Sequence, residues 1–265
     1  MHSSPSVGIV VAMAAEDRHI LSIAEDRDPF NLGGFPAFHF RLGAATCALV
    51  RSGIGMVHAA AATQAMIMEE HPSIVVNFGC AGAHLKNLQP GDIVLANQCV
   101  YHAAVQIQPD GQERYVGFTQ ELGSDIANVN ENAEVPTDPR LLERAVFAAS
   151  QTRLPAWPGS AHEPAIIVGP IASADVWTQS VERLEAIHAF HGTFCEDMEA
   201  AAVGRISHLH GIPFLSVKDI SNNEFHRASD LTDFTDFPVE EVGKRAAIVV
   251  AQMIRELDDP ARQFC

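Results

Sequence analysis

Short apolar runs alternate along this chain with stretches in which small and apolar residues recur at helical spacing. Val7–Met13 and Ser73–Phe78 are apolar nearly throughout, as strands buried on both faces are. Asp92–His102 is a longer apolar strand introduced by Pro90-Gly91, and Ala165–Ser173, Thr193–Asp197 and Pro213–Ile220 are further strands. Phe38–Leu42 and Thr46–Ser52 alternate in polarity around Gly43-Ala44, which predicts a hairpin. Between the strands the pattern predicts a short helix or turn over Glu16–Glu25 and helices over Val57–Glu70, Leu141–Gln151, Thr178–Ala189 and Glu199–His210. An amphipathic helix, Val239–Leu257, closes the chain. Residues 106–136 are polar and poorly periodic and read as an excursion on the surface or at a subunit contact. Strands alternating with helices imply an α/β fold, a three-layer α/β/α sandwich, and the hairpin makes its central sheet mixed.

Composition narrows the partners. The 265 residues are 47% hydrophobic, with no low-complexity linker, which suits one domain over 1–265. A net charge of −16 disfavours nucleic acid and anionic membrane. No apolar stretch is long enough to span a bilayer, and the N-terminal MHSSPS lacks the basic region of a signal peptide. Cys47, Cys80, Cys99, Cys195 and Cys265 are odd in number and have no ligand spacing, which suits reduced thiols in the cytoplasm. His208 and His210 lie two apart, a spacing that completes no metal site, so no metal is expected.

The candidate chemistry lies at the ends of the strands, where open α/β sheets bind ligands. Two glycine-rich segments, Ser52-Gly53-Ile54-Gly55 and Gly79-Cys80-Ala81-Gly82, follow strands and are read as turns that lead into helices. Neither is a Walker loop or a dinucleotide fingerprint. Taken with Ala12-Met13-Ala14-Ala15-Glu16, Asp197-Met198-Glu199-Ala200 and Ile220-Ser221-Asn222, they form an ordered series. That series resembles the purine nucleosidase and nucleoside phosphorylase superfamily, most closely its methylthioadenosine/adenosylhomocysteine nucleosidases. The likeness covers about residues 7–105 and 165–257 and is absent over about 106–164.

The resemblance implies a nucleoside phosphorylase-like fold, a homodimer, a purine nucleoside substrate and no cofactor. It matches Glu16 to the carboxylate that polarises the attacking water, and Glu199 to the one that grips the ribose hydroxyls. Met198 matches the side chain that packs on the ribose, and Trp177 the aromatic beside the purine. Ser52, Ile54, Cys80 and Gly82 become substrate-binding positions on the glycine-rich segments. Ser221 matches the residue that orients the purine-side acid, and Asn222 stands where these nucleosidases usually carry that acid, an Asp. Physical chemistry supports these roles: cleaving an N-glycosidic bond builds positive charge on the ribose and negative charge on the departing base.

Where phosphorolytic relatives carry an arginine, this chain has Asn77, and Cys80 replaces a serine hydroxyl. Water is therefore favoured as nucleophile, because a phosphate dianion would lack charge-assisted partners. A phosphorylase and a catalytically silent nucleoside-binding protein are the competing readings. An amide at Asn222 suits a 6-oxopurine, to which it offers both a donor and an acceptor. Lys218 and Asp219 read as an ion pair outside the chemistry. Tyr115 and Phe118 are aromatic candidates for the 5′ side of the pocket, without support from spacing.

Overall fold

The computed structural model describes residues 6–116, 134–226 and 238–257. Among these, β1 (Ser6–Val11), β2 (Glu25–Leu32), β3 (Phe35–Leu42), β4 (Ala45–Arg51), β5 (Ile74–Ala83) and β6 (Ile93–Tyr101) belong to one ten-stranded mixed sheet. The same sheet includes β9 (Glu134–Pro136), β10 (Ile166–Ser173), β11 (Cys195–Asp197) and β12 (Phe214–Asn222). A separate hairpin pairs β7 (Val105–Ile107) with β8 (Glu113–Tyr115). The helices are α1 (Ala14–Ser22), α2 (Met56–Glu70), α3 (Pro139–Ser150), α4 (Val181–His191), α5 (Ala200–Leu209) and α6 (Lys244–Arg255).

Each face of the sheet carries its own core. On one face Ile20, Ala145 and Val250, from α1, α3 and α6, pack with Val7, Leu49 and Phe78. On the other, Met66 of α2 and Val203 of α5 pack with Val75 and Ile171. Strands buried on both faces must be apolar throughout, which is why β1 and β5 read so clearly in the sequence. The expected three-layer α/β/α sandwich with a mixed central sheet is the fold observed.

Three local expectations are corrected. The segment Glu25–Leu32 is a strand, not the end of a helix. Its charges, its Pro29 and its exposure suit the sheet edge it occupies beside β3, where they discourage pairing with other chains. The supposed excursion over 106–136 contains the β7–β8 hairpin, and β9 pairs antiparallel with β6; residues 117–133, and with them Phe118, lie outside the described residues.

The third correction bears on the site. Gly79–Ala83 is not a turn into a helix but the continuation of β5. β12 pairs alongside it from Lys218↔Gly79 to Asn222↔Gly82, while β11 takes its other side through Cys195↔Ala83 and Glu196↔Gly82. Because β11 also pairs with β10, the path β5–β12–β6–β10–β11 closes on itself. Closure pairs the strand edges that an open sheet would leave free.

The seam between β12 and α5 depends on Gly204. A Cβ there would lie 2.6 Å from Phe214 Cε1 and 2.9 Å from Val135 Cγ1. Alanine would gain about 1 kcal/mol of helix propensity but would overpack two buried side chains, which costs about 1–3 kcal/mol. Gly204→Ala is therefore expected to lower stability by about 1 kcal/mol net, read as a fall in the urea midpoint. An unchanged or raised midpoint would show that the seam relaxes freely.

Candidate active site

A cavity opens where the C-terminal ends of these strands meet, lined by Glu16, Ile54, Cys80, Gly82, Trp177, Met198, Glu199, Ser221 and Asn222 among others. The structure thus gathers all but one of the residues singled out in the sequence. The exception is Ser52, whose hydroxyl is turned to the carbonyls of Val11 (3.2 Å) and Gly53 (2.7 Å) and fastens the loop beneath the cavity. Asn77 does not line the cavity either. Its amide donates to Val10 O and accepts from the Ser216 hydroxyl, tying β5 to β1 and β12. Tyr115 likewise lies elsewhere, its hydroxyl donating to Tyr101 O at 3.0 Å and its ring edge-on to Phe190 and His191.

Glu16 sits in the first turn of α1, yet it is more than a helix-dipole carboxylate. Oε2 accepts from the amides of Ala12 (2.9 Å) and Met13 (3.0 Å), and Oε1 from that of Cys80 (3.0 Å). Gly79 makes room for it, since a Cβ there would fall 2.1 Å from Oε1. Burial raises the Glu16 pKa, against the pull of Lys218 and the three amides. A carboxylate fixed by three donors and poised above its ordinary pKa suits a general base. The neighbouring Cys80 stays a neutral thiol, because burial and then Glu16 push its pKa well up.

Lys218 anchors the sugar end. Its ammonium, 1% exposed, lies 2.7 Å from Asp197 Oδ2. Burial works against its charge, but Asp197, Glu199 and Glu16 outweigh it and hold the pKa above the usual lysine value. Lys218 and Asp219 are thus not partners. Successive strand residues point to opposite faces, and Asp219 instead meets Arg245 of α6 at 3.7 Å. Asp197 also accepts from the Ser173 hydroxyl (2.5 Å) and from Ala200 N at the start of α5 (2.9 Å).

Glu199 occupies the N-cap position of α5 without capping it. Its Oε1 reaches across to accept from Gly55 N, at the mouth of α2, at 2.8 Å. Gly55 is at φ +105°, a backbone that favours glycine. Burial and then the adjacent Asp197 push the Glu199 pKa up to about 8, although Lys218 and the Gly55 amide oppose the shift.

The other end of the cavity is built by a bulge. Pairing of β12 with β5 jumps from Ile220↔Ala81 to Asn222↔Gly82, so Ser221 is an extra residue, and both Ser221 and Asn222 line the cavity. The Ser221 hydroxyl donates to Asn222 Oδ1 at 2.9 Å, and Asn222 Nδ2 donates to Glu224 Oε1 at 3.0 Å. A carboxylate only accepts, so this pairing fixes which side of the amide is nitrogen. The second proton of that NH₂ remains for a ligand.

Sequence reasoning missed Asp197, Glu196 and Glu224. The signal was present: three acidic residues, Glu196, Asp197 and Glu199, fall within four positions at a buried strand end. Such density needs a buried cation, and Lys218 is that cation. Lys218→Met is expected to cost about 3–5 kcal/mol, because it leaves buried carboxylates unpaired. A carboxyl whose folded pKa is raised stabilises the fold at low pH, and that contribution fades as pH rises through the folded pKa, about 8 for Glu199 in the native protein. The deficit should therefore be smaller at about pH 5 than at about pH 9 in urea titrations; equal deficits would refute the pairing account.

Comparison with known proteins agrees with this geometry. Over 256 residues the chain is 28% identical to a 5′-methylthioadenosine/S-adenosylhomocysteine nucleosidase of Desulfotalea psychrophila, covering 96% of this chain and 98% of the relative. Its fold is similar to that of the Neisseria meningitidis 5′-methylthioadenosine/S-adenosylhomocysteine nucleosidase in complex with methylthio-immucillin-A, with 26% identity, a TM-score of 0.75 and coverage of 95% and 99%. It is similar also to a futalosine hydrolase mutant of Helicobacter pylori, with 25% identity, a TM-score of 0.76 and coverage of 96% and 100%. The sequence pattern of the phosphorylase superfamily matches residues 6–256, and the chain belongs to that superfamily.

Proposed function

We propose that this protein is a purine nucleoside N-ribosyl hydrolase that releases the free base by attack of water at C1′. The observation that carries the proposal is the placement of Glu16. A buried carboxylate held by three amides lines the same cavity as the ribose-gripping candidate Glu199, and no arginine, lysine or histidine is among the described residues lining it. A phosphate nucleophile would need such cations, whereas a water needs a base.

Glu16 takes a proton from water as the bond to the base breaks. Glu199, when ionised, accepts from the ribose 2′ and 3′ hydroxyls and opposes the positive charge growing on the sugar. Met198 packs on the sugar, and Trp177 lies against the base. Asn222, held by Ser221 and Glu224, offers its NH₂ to the departing ring, a donor that suits the O6 or N7 of a 6-oxopurine. The similarity to both a methylthioadenosine/adenosylhomocysteine nucleosidase and a futalosine hydrolase supports hydrolysis and leaves the 5′ substituent to experiment. The enzyme acts as a homodimer of single-domain subunits in the cytoplasm. Exposed Val57 and Met68 on α2 and Leu209 on α5 support the dimer, and four unpaired cysteines support a reducing compartment.

The deciding assay is release of free base from methylthioadenosine, adenosylhomocysteine, adenosine, inosine, guanosine and futalosine, with and without phosphate. Release without phosphate is the expected result; release only with phosphate would mean a phosphorylase, and ligand binding without turnover a silent binder. Glu16→Gln should lower kcat by about 10²–10⁴ with little change in KM. For the unaltered enzyme kcat/KM should rise with pH through about 8 as Glu199 ionises, and Glu199→Gln should lose that limb. A limb that survives Glu199→Gln would assign the titration to another group.

A further inference from the structure

The base end of the cavity holds a carboxylate that the reaction above does not use. Glu196 of β11 is 6% exposed and lines the cavity. It lies directly opposite Gly82 of β5 in an antiparallel pair, and Asn222 of β12 is the partner of that same glycine on its other side. Directly opposed residues share a face of the sheet. The face is the cavity's own, because a Cβ on Gly82 would stand 3.3 Å from Asn222 Nδ2. Gly82 therefore leaves a slot without a side chain, walled by Asn222 on one strand and Glu196 on the other. Their backbones are two strand spacings apart, roughly 9.6 Å.

Glu196 is held from behind. Oε1 accepts from the amide of Thr178, the residue after Trp177, at 2.8 Å. Oε2 lies 3.2 Å from His84 Nε2, whose Nδ1 is 2.8 Å from the Thr193 hydroxyl. A carboxylate has about four acceptor positions, and these contacts use two. The slot thus has a donor on one wall, the NH₂ of Asn222, and an acceptor on the other.

We propose that Glu196 selects the base, by accepting the N1–H of a 6-oxopurine and the 2-amino group where guanine is bound, while Asn222 donates to the O6/N7 edge. The inference rests on reading the cavity as a purine nucleoside site. A 6-aminopurine reverses the pattern. Its N1 brings a lone pair to the Glu196 carboxylate, and its 6-amino group brings protons to the Asn222 NH₂. A site built to hydrogen-bond a substrate group rejects the analogue that lacks it by large factors, because its own buried polar groups are then left unpaired.

The test has a catalytic arm and a binding arm, each on the full-length protein and on Glu196→Gln. An amide can turn its NH₂ toward the N1 of adenine, which a carboxylate cannot do. Glu196→Gln should lower kcat/KM for inosine by about tenfold to a hundredfold and leave that for adenosine unchanged or raised. In calorimetric titration the unaltered protein should bind hypoxanthine more tightly than adenine, and the variant should lose that preference. Equal losses for both nucleosides, or no change for either, would make Glu196 a structural residue and overturn the proposal. If no nucleoside is cleaved but the free bases still bind with the expected preference, the hydrolase reading fails and the assignment of Glu196 stands. Binding of neither base would overturn both.

Discussion

One buried lysine sets the terms for the rest of the site. Lys218 lies where Asp197, Glu199 and Glu16 converge, and no apolar side chain could replace its charge without leaving those carboxylates unpaired. A single cation does not balance several buried anions. The site meets the excess by holding Glu199 up to about 8, so that in the empty cavity one carboxyl keeps its proton at neutral pH. On the proposed reading the balance changes during reaction. Positive charge growing on the ribose supplies the counter-charge that the empty site lacks, and the interaction is strongest when that charge is largest. A site short of one cation before reaction favours the transition state over the ground state.

The same strand that carries Lys218 carries the other end of the site. β12 places Lys218 beside Gly79 and Asn222 beside Gly82, so the two glycines of β5 mark the sugar end and the base end. Gly79 admits the Glu16 carboxylate and Gly82 leaves the slot between Asn222 and Glu196. The bulge at Ser221 rotates the end of β12 just enough to bring two successive polar side chains to one face. Side chains that share a reaction are thereby fixed by backbone pairing, which is stiffer than a loop.

The sequence was most legible where local pattern and chemistry coincide. Glu16, Glu199 and Asn222 stand at strand ends flanked by apolar runs, and the structure brings them into one cavity. β2 was illegible because an edge strand shows no buried alternation; its acidic and proline residues look like a loop. Gly79–Ala83 was misread for a different reason. Glycines and small residues after a strand resemble a turn, and only the partners on both sides, Lys218–Asn222 and Cys195–Glu196, make it continue as a strand. Those partners lie more than a hundred residues away, outside any local window. Glu196 was overlooked on the same ground, since its place beside Gly82 is a fact of pairing.

Asn222 limits the chemistry that this arrangement can perform. Its carbonyl takes the Ser221 hydroxyl and its nitrogen faces Glu224, so it is fixed as a donor and has no proton to transfer at neutral pH. The departing base must then leave with its negative charge hydrogen-bonded instead of neutralised by a protonated side chain. A 6-oxopurine is suited to that demand, because the charge delocalises onto O6, within the edge that the amide addresses. An adenine leaving group has no such oxygen. The same substitution that removes an acid from the site thus narrows the bases for which the acid is unnecessary, and Glu196 on the opposite wall applies the same preference to N1.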